Sequence, residues 1–320
     1  MNSISCSHTP SSSSPVVYIH NAGFVTRQRL CFQFPARGSP ASSCSFHFGI
    51  PGVCSARNTM LRPMKRECLT QNASSLELPL LPFVVNEVLV PTESKTLHIY
   101  EARFLALLDE CLTKTKGLFV HFVLDPTTIS DSSAEVSFSP RYGCLVVIEN
   151  VERLNIGALV SIRGISRVKT LKFIQEEPYL KGEIVPMRDK VCESLHNAGL
   201  KVTELNEAMY NLNSLEIKIK APKQTLLQTR IANSLMWAER GPSLELDEAF
   251  IPSMAELVAF AALQPVSGST PSELLKLKNK KLKAMVVEDT IQRLNSSLEH
   301  VKETTSLVAA KLAIQSLRIE

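Results

Sequence analysis

The hydrophobic pattern becomes regular at Leu78. Leu78 to Phe83 is a short apolar run, and Pro79 and Pro82 mark it as an edge strand or strand start, because proline brings no N–H to a ladder. Val88 to Val90 is a second short strand running into Pro91. Leu97, Tyr100, Phe104, Leu108 and Leu112 then recur at spacings of three and four, which predicts one face of a helix, with Thr92 or Ser94 as its cap. Leu118 to Leu124 is β-branched and aromatic and predicts a buried strand ending at Asp125-Pro126. A polar loop over Ile129–Pro140 leads to a strand over Arg141–Ile148 and a turn at Asn155–Gly157. Strands over Ala158–Arg163 and Ile165–Phe173, broken at Gly164, and over Pro178–Val185 complete this half. Short strands, frequent turns and one early helix predict a small mixed barrel.

The period changes beyond residue 188. Val202, Leu205, Met209 and Leu212 are spaced three and four apart. Helical patterning continues over Leu226–Glu239, Met254–Leu263 and Leu274–Ile319, with breaks at Gly241-Pro242, Pro252 and Pro265 to Pro271. Ile291, Leu294, Leu298 and Val301 form an apolar stripe on the last helix. The fold class expected is α+β: a β barrel over 76–188, then a helical subdomain over 189–320 with a long C-terminal helix.

Composition sets the first 70 residues apart. They hold 12 serines, seven basic residues and one acid, Glu67. Acid-poor, Ser-rich, Arg-containing N-termini are the mark of organelle transit peptides, and no compact apolar core follows a basic start as in a secretory signal. The early part is Ser/Thr-rich and uncharged, which favours chloroplast (stroma) over mitochondrion, with removal between Cys54 and Asn72. The formal charge of +4 therefore misleads, since the remaining 28 basic and 30 acidic residues leave the body slightly acidic. Such a body does not concentrate phosphate backbones, so nucleic acid is not an expected partner. No apolar run reaches the roughly 18–20 residues that span a bilayer. Beyond residue 70 only Cys111, Cys144 and Cys192 remain, without zinc spacing, which fits a reducing compartment.

The stretch 78–112 resembles the start of the Lon protease N-terminal (substrate-binding) domain. That family opens with Leu-Pro-Leu-x-Pro, an apolar strand, a proline, then Leu-x-Ile-Phe/Tyr-Glu-x-Arg-Tyr/Phe. Pro79, Leu80 and Pro82, then Pro91, then Leu97, Ile99, Tyr100, Glu101, Arg103 and Phe104 fill those places. Two departures stand out: Thr92 where the family usually has Gly, and Ala102 where it often has Pro. The former implies a different loop shape after Pro91. The resemblance continues through Tyr142-Gly143-Cys144, through Ile162–Val168 with Gly164 and Arg167, and through Tyr179–Ile184 with Glu183. Glu288–Leu294 and Ala309–Ala313 resemble stand-alone members from cyanobacteria and plants, which supports the plastid expectation. The resemblance implies a PUA-like pseudo-barrel followed by a helical bundle, with these motif residues structural in role.

Candidate chemistry is sparse. None of the 12 glycines is followed by Lys, so the chain has no Gly-Lys-Ser/Thr to cradle ATP phosphates. It has no Gly-x-Ser-x-Gly and no His-Glu-x-x-His. Few residues remain after barrel and bundle for an ATPase module or a Ser-Lys protease module. No cofactor, metal or catalytic residue is assigned. His98, His121 and His196 lack second ligands at useful spacing, and His121 and Cys144 read as strand packing. Glu101 and Arg103 read as braces of helix to barrel and, two apart on a helix, not as each other's partner. Trp237, Met254, Phe250 and Phe260 read as bundle core, with a groove for unfolded segments as the alternative.

The expectation is a non-catalytic binder of unfolded or client proteins, a recognition module or adaptor in protein quality control that docks on an ATP-dependent protease or chaperone. The alternatives are a peptidase-associated subunit acting with such a protease in trans, and an RNA-binding PUA-like module.

Overall fold

The computed structural model describes residues 74–127, 137–190, 195–220, 228–241 and 245–317, and the backbone of two short strands, β1 (Val16–Tyr18) and β2 (Arg27–Arg29), which pair antiparallel. The rest of the segment expected to be a transit peptide lies outside the described residues, as does Cys192.

Six strands form the barrel half: β3 (Leu76–Val84), β4 (Ser94–Ile99), β5 (Leu118–Thr127), β6 (Ser137–Arg153), β7 (Ala158–Gln175) and β8 (Lys181–Pro186). Their order is β4-β7-β6-β5-β3-β8, and β8 also pairs with β7. Five strands therefore close into a ring, with β4 appended to it. The 18-residue β7 makes closure possible: its first half lies between β4 and β6, and Val168–Gln175 pairs with β8. Register shifts near Leu145, Ile148, Thr170 and Phe173 bend β6, β7 and β8 around the ring, as bulges do.

Several expected boundaries move. Gly164 does not break a strand but lies within continuous β7. β6 starts at Ser137, inside the expected loop. Leu97 is not on a helix: Ser94–Ile99 is strand β4, and the helix α1 spans Ala102–Lys114. Its cap position is Glu101, not Thr92 or Ser94, and its buried face is Leu107, Leu108 and Cys111, with Leu112 exposed. In β4 a period of two, with Leu97 and Ile99 inward, accidentally continues into the helical period. The prolines of β3 are explained by its pairing. Leu76–Pro79 ladders only with β8 and Leu80–Val84 only with β5, so each half behaves as an edge that tolerates a missing donor.

The second half holds α2 (Leu195–Lys220), α3 (Arg230–Arg240), α4 (Met254–Ala261), α5 (Pro271–Val286) and α6 (Thr290–Ser316). The expected single helix over Leu274–Ile319 is two helices. Thr270 and Glu273 form a reciprocal capping box around Pro271, and Asp289 accepts from Gln292 N to start α6. Leu294, Leu298 and Val301 are buried against α2 and α4, together with Leu205, Met209 and Val258. Within the barrel, Val146, Val160 and Ile162 pack in one cluster, while Leu80, Val120 and Ile165 pack in another that receives Phe250.

Thr92 is fully buried at φ 71°, a left-handed conformation that β-branched residues avoid. Three hydrogen bonds hold it there: its N–H donates to Gly164 O (2.8 Å), and its carbonyl accepts from Arg163 Nη1 (3.0 Å) and Ser234 Oγ (3.1 Å). Its own hydroxyl has no partner. The positive φ is one that a glycine adopts freely. Strain of about 1–3 kcal/mol and an unpartnered hydroxyl of similar cost oppose one methyl's burial, about 0.8 kcal/mol, and the added freedom of an unfolded glycine, about 0.5–1 kcal/mol. Thr92→Gly is therefore expected to raise stability by about 1 kcal/mol in chemical denaturation; a loss of stability would show that the side-chain contacts dominate.

Candidate functional site

The motif residues fall into three places. Pro79, Leu80 and Pro82 lie in β3, where Leu80 N–H donates to Leu180 O at 2.8 Å. Gly143, Gly164 and Arg167 lie in β6 and β7, and Glu183 lies in β8, ion-paired to Lys172 at 2.8 Å. Pro91, Leu97, Ile99, Tyr100, Glu101, Arg103 and Phe104 run from the buried turn through β4 into α1. Glu101 and Arg103 prove to be partners: Arg103 Nε donates to Glu101 Oε2 at 2.8 Å, and Nη2 lies 2.7 Å away. The helical argument against this pair fails because Glu101 is the extended residue before α1, with ψ 134°, and so folds back over the first turn.

Arg167 is the centre of the molecule. Its guanidinium is fully buried and joins the barrel to the helices. Nε donates to Glu256 Oε1 (3.0 Å), and Nη1 donates to the carbonyls of Met285 (3.2 Å) and Val287 (2.7 Å). Nη2 pairs with Glu256 (2.9 Å) and Asp189. Arg293, equally buried, donates to Asp189 from Nη1 (2.6 Å) and Nη2 (2.8 Å) and to Ala284 O from Nε (3.1 Å). Phe260 lies 4.7 Å from the Arg293 guanidinium. Burial pushes Asp189 up, but hydrogen bonds from Arg293 and Thr290 outweigh it and hold the carboxyl below its ordinary range. For Glu256 burial wins over Arg167, and its pKa is raised. The motif marked Arg167 but nothing marked Asp189 and Glu256, which carry no local signal and meet it only through the fold.

Buried chemistry elsewhere is inert. His121 stacks on Phe83 with ring centroids 3.8 Å apart, and burial holds it neutral, far below its ordinary pKa. Burial pushes the Cys111 thiol up to about 12 and also raises Cys144, which leaves both protonated and unreactive. Phe250 and Phe260 are buried, but they pack in the two barrel clusters and not in the bundle core as expected, and Met254 is exposed. Among the described residues no cluster of three His, Cys, Asp or Glu side chains is placed to hold a metal, and no helix is long and apolar enough to cross a membrane.

One barrel surface remains open for binding. β4 ladders with β7 on one side, and among the described residues no strand pairs with its other side. Alternate residues of an antiparallel strand direct N–H and C=O away from their partner, so this edge offers unpaired backbone groups. Its exposed side chains are Ser94, Thr96 and His98. At its end the His98 and Tyr100 rings lie 5.5 Å apart, His98 Nε2 is 3.2 Å from Ile156 O, and Ile156 is 74% exposed. An open strand edge with an apolar rim matches the geometry by which sheets add an extended peptide.

The chain also resembles proteins already characterised. A Lon protease from Syntrophus aciditrophicus (strain SB) is 21% identical over 157 residues, which cover 48% of this chain and 19% of that protein. The chain thus matches about a fifth of that relative's length. The Lon N-terminal domain protein from Xanthomonas campestris is 20% identical, over 70% of this chain and 98% of that one, with a TM-score of 0.38. The N-terminal domain of the Mycobacterium avium complex Lon protease is 13% identical, over 71% of this chain and 98% of that one, with a TM-score of 0.41. The family model of the ATP-dependent protease La (LON) substrate-binding domain matches residues 77–309. Since that span takes in the whole ring, the Arg167 network and nearly all of the helical half, the chain belongs to the Lon substrate-binding domain family.

Proposed function

We propose that this protein recognises unfolded or client polypeptides for proteolysis, as an adaptor in protein quality control in the chloroplast stroma, and that an ATP-dependent protease or chaperone supplied by another chain does the work. The observation that carries this reading is the family match over residues 77–309. A non-catalytic role is supported by a sequence without Gly-Lys-Ser/Thr or Gly-x-Ser-x-Gly, and the plastid assignment by the acid-poor, Ser-rich N-terminus. The β4 edge is the proposed contact: a client strand ladders on its free backbone groups while its side chains pack on Tyr100 and Ile156.

The test is binding of the full chain to a reduced, carboxymethylated protein that cannot fold. Wild type is expected to bind it. Ile156→Asp places a charge on the apolar rim and is expected to weaken binding about tenfold, or about 1.4 kcal/mol. Because Ile156 is 74% exposed, the substitution is expected to leave the fold intact, which an unchanged melting curve checks. Absence of binding by wild type would refute the polypeptide-recognition reading, and equal binding by the variant would remove the β4 edge from it.

A further inference from the structure

The helices α5 and α6 run antiparallel, as two ion pairs show: Lys311 to Glu273 at 2.9 Å and Lys280 to Glu303 at 2.7 Å. These rungs are seven or eight residues apart along each helix, roughly 10–12 Å at 1.5 Å per residue. Between and beside them lies a groove of about 830 Å³, a size usual for ligand sites. Its apolar side includes Leu277 and Val308, buried, with Leu274 and Leu307 half exposed.

Two further observations describe what the groove receives. The first is charge. Lys280 and Lys311 are satisfied by the two glutamates, but Lys276 and Lys283, also on the lining, form no ion pair among the described residues. His300 adds no positive charge of its own, because burial, with Lys280 nearby, pushes its pKa down to about 4. The groove is apolar inside and net positive at its rim. The second is Gln264, which is 3% exposed and lines the groove, with an amide nitrogen that has no hydrogen-bond partner. Buried amides are almost always paired, and this nitrogen, itself closed to the surface, gains an acceptor once the side chain turns toward an occupant.

We propose that the α5–α6 groove binds an acidic, apolar polypeptide segment: leucine-like side chains enter between the helices, carboxylates meet Lys276 and Lys283, and a backbone carbonyl accepts from Gln264. This site is separate from the β4 edge, and its occupant is a polypeptide on the strength of the family's recognition role. It confers a preference for charge and apolar side chains, where a strand edge draws most of its affinity from backbone hydrogen bonds.

The test uses the full chain and three fluorescein-labelled twelve-residue peptides: leucine with glutamate, leucine with lysine, and serine with glutamate. The first is expected to bind at least about tenfold tighter than the others by polarisation, with affinity falling as salt rises. Lys276→Glu/Lys283→Glu is expected to reverse the preference between the two leucine peptides. Leu307→Asp is expected to abolish binding of the first, with an unchanged melting curve as the check on folding. Equal binding of all three peptides, or no effect of the groove variants, overturns the inference. Loss of peptide binding in Ile156→Asp alone would place the peptide on the β4 edge, so that the groove inference fails while the recognition reading survives. If neither peptide nor unfolded protein binds wild type, both fail.

Discussion

Asp189→Ala is expected to lower the unfolding free energy by about 3–5 kcal/mol, the cost of stranding a buried charge. Its carboxylate faces two fully buried guanidinium groups, and its removal leaves Arg293 with no carboxylate closer than Glu256 at 4.0 Å. For a domain of this size each kcal/mol moves Tm by about 2–4 °C, so a fall on the order of 10 °C is expected. Glu256→Gln provides the contrast. The isosteric amide keeps an acceptor for Arg167 Nε, and the expected loss at pH 7 is about 1 kcal/mol. The pH dependences have opposite signs. Asp189 is depressed, so its stabilisation is present above its unfolded pKa and lost as pH falls through its lower folded value. Glu256 is raised, so its contribution is present below its unfolded pKa and lost as pH rises through its higher folded value. Glu256→Gln should therefore gain on wild type as pH rises above the unfolded glutamate pKa, while Asp189→Ala loses most above the unfolded aspartate pKa and approaches wild type as pH falls below it. Urea denaturation from about pH 3 to about pH 8 checks both; equal losses in the two variants would show that the four charges share the load evenly.

Gly164→Val is expected to prevent formation of the native barrel, or to cost at least about 3 kcal/mol, the upper range for overpacking. A Cβ at this position would sit 2.4 Å from the carbonyl oxygen of Val90 and 3.0 Å from Cys144 Sγ. The backbone cannot withdraw, because Gly164 N–H donates to Glu93 O at 2.9 Å and its carbonyl accepts from Thr92 N–H. Gly164→Ala meets the same oxygen with less bulk beyond it and is expected to fall between wild type and the valine variant in Tm. A valine variant with unchanged Tm would mean that the 90–93 turn moves freely, and would also undo the account of Thr92 as a strained residue held in place.

Those two predictions touch residues of very different legibility. Gly164 and Arg167 were visible in sequence because they sit in a short motif, yet their reasons were not. Gly164 reads locally as a strand breaker, and only the approach of the 90–93 turn from about 70 residues away in sequence shows why no side chain fits. Strand content and α+β class followed from alternation and β-branched runs. The helix start did not, because Leu97 of a strand and Tyr100 after it happen to precede Phe104 and Leu108 at helical intervals. Likewise the end of α5 at Val286 leaves no glycine or proline behind; the helix stops where its last carbonyls turn to the two arginines. Of the binding surfaces, the β4 edge is a matter of topology and cannot be seen in a local pattern. The α5–α6 groove leaves a faint trace in the lysines of α5, which by themselves are no different from any solvated helix face.

The closed ring has a consequence for association. A flat sheet has two open edges, so each copy that joins exposes a fresh edge, and growth continues without limit. Here β8 returns to β7, and among the described residues β4 is the one barrel strand with a single partner strand. Addition along a whole strand is thereby confined to β4, apart from the short half-edges left where β3 passes from β8 to β5. Two copies meeting edge to edge through β4 would satisfy each other and stop at a pair.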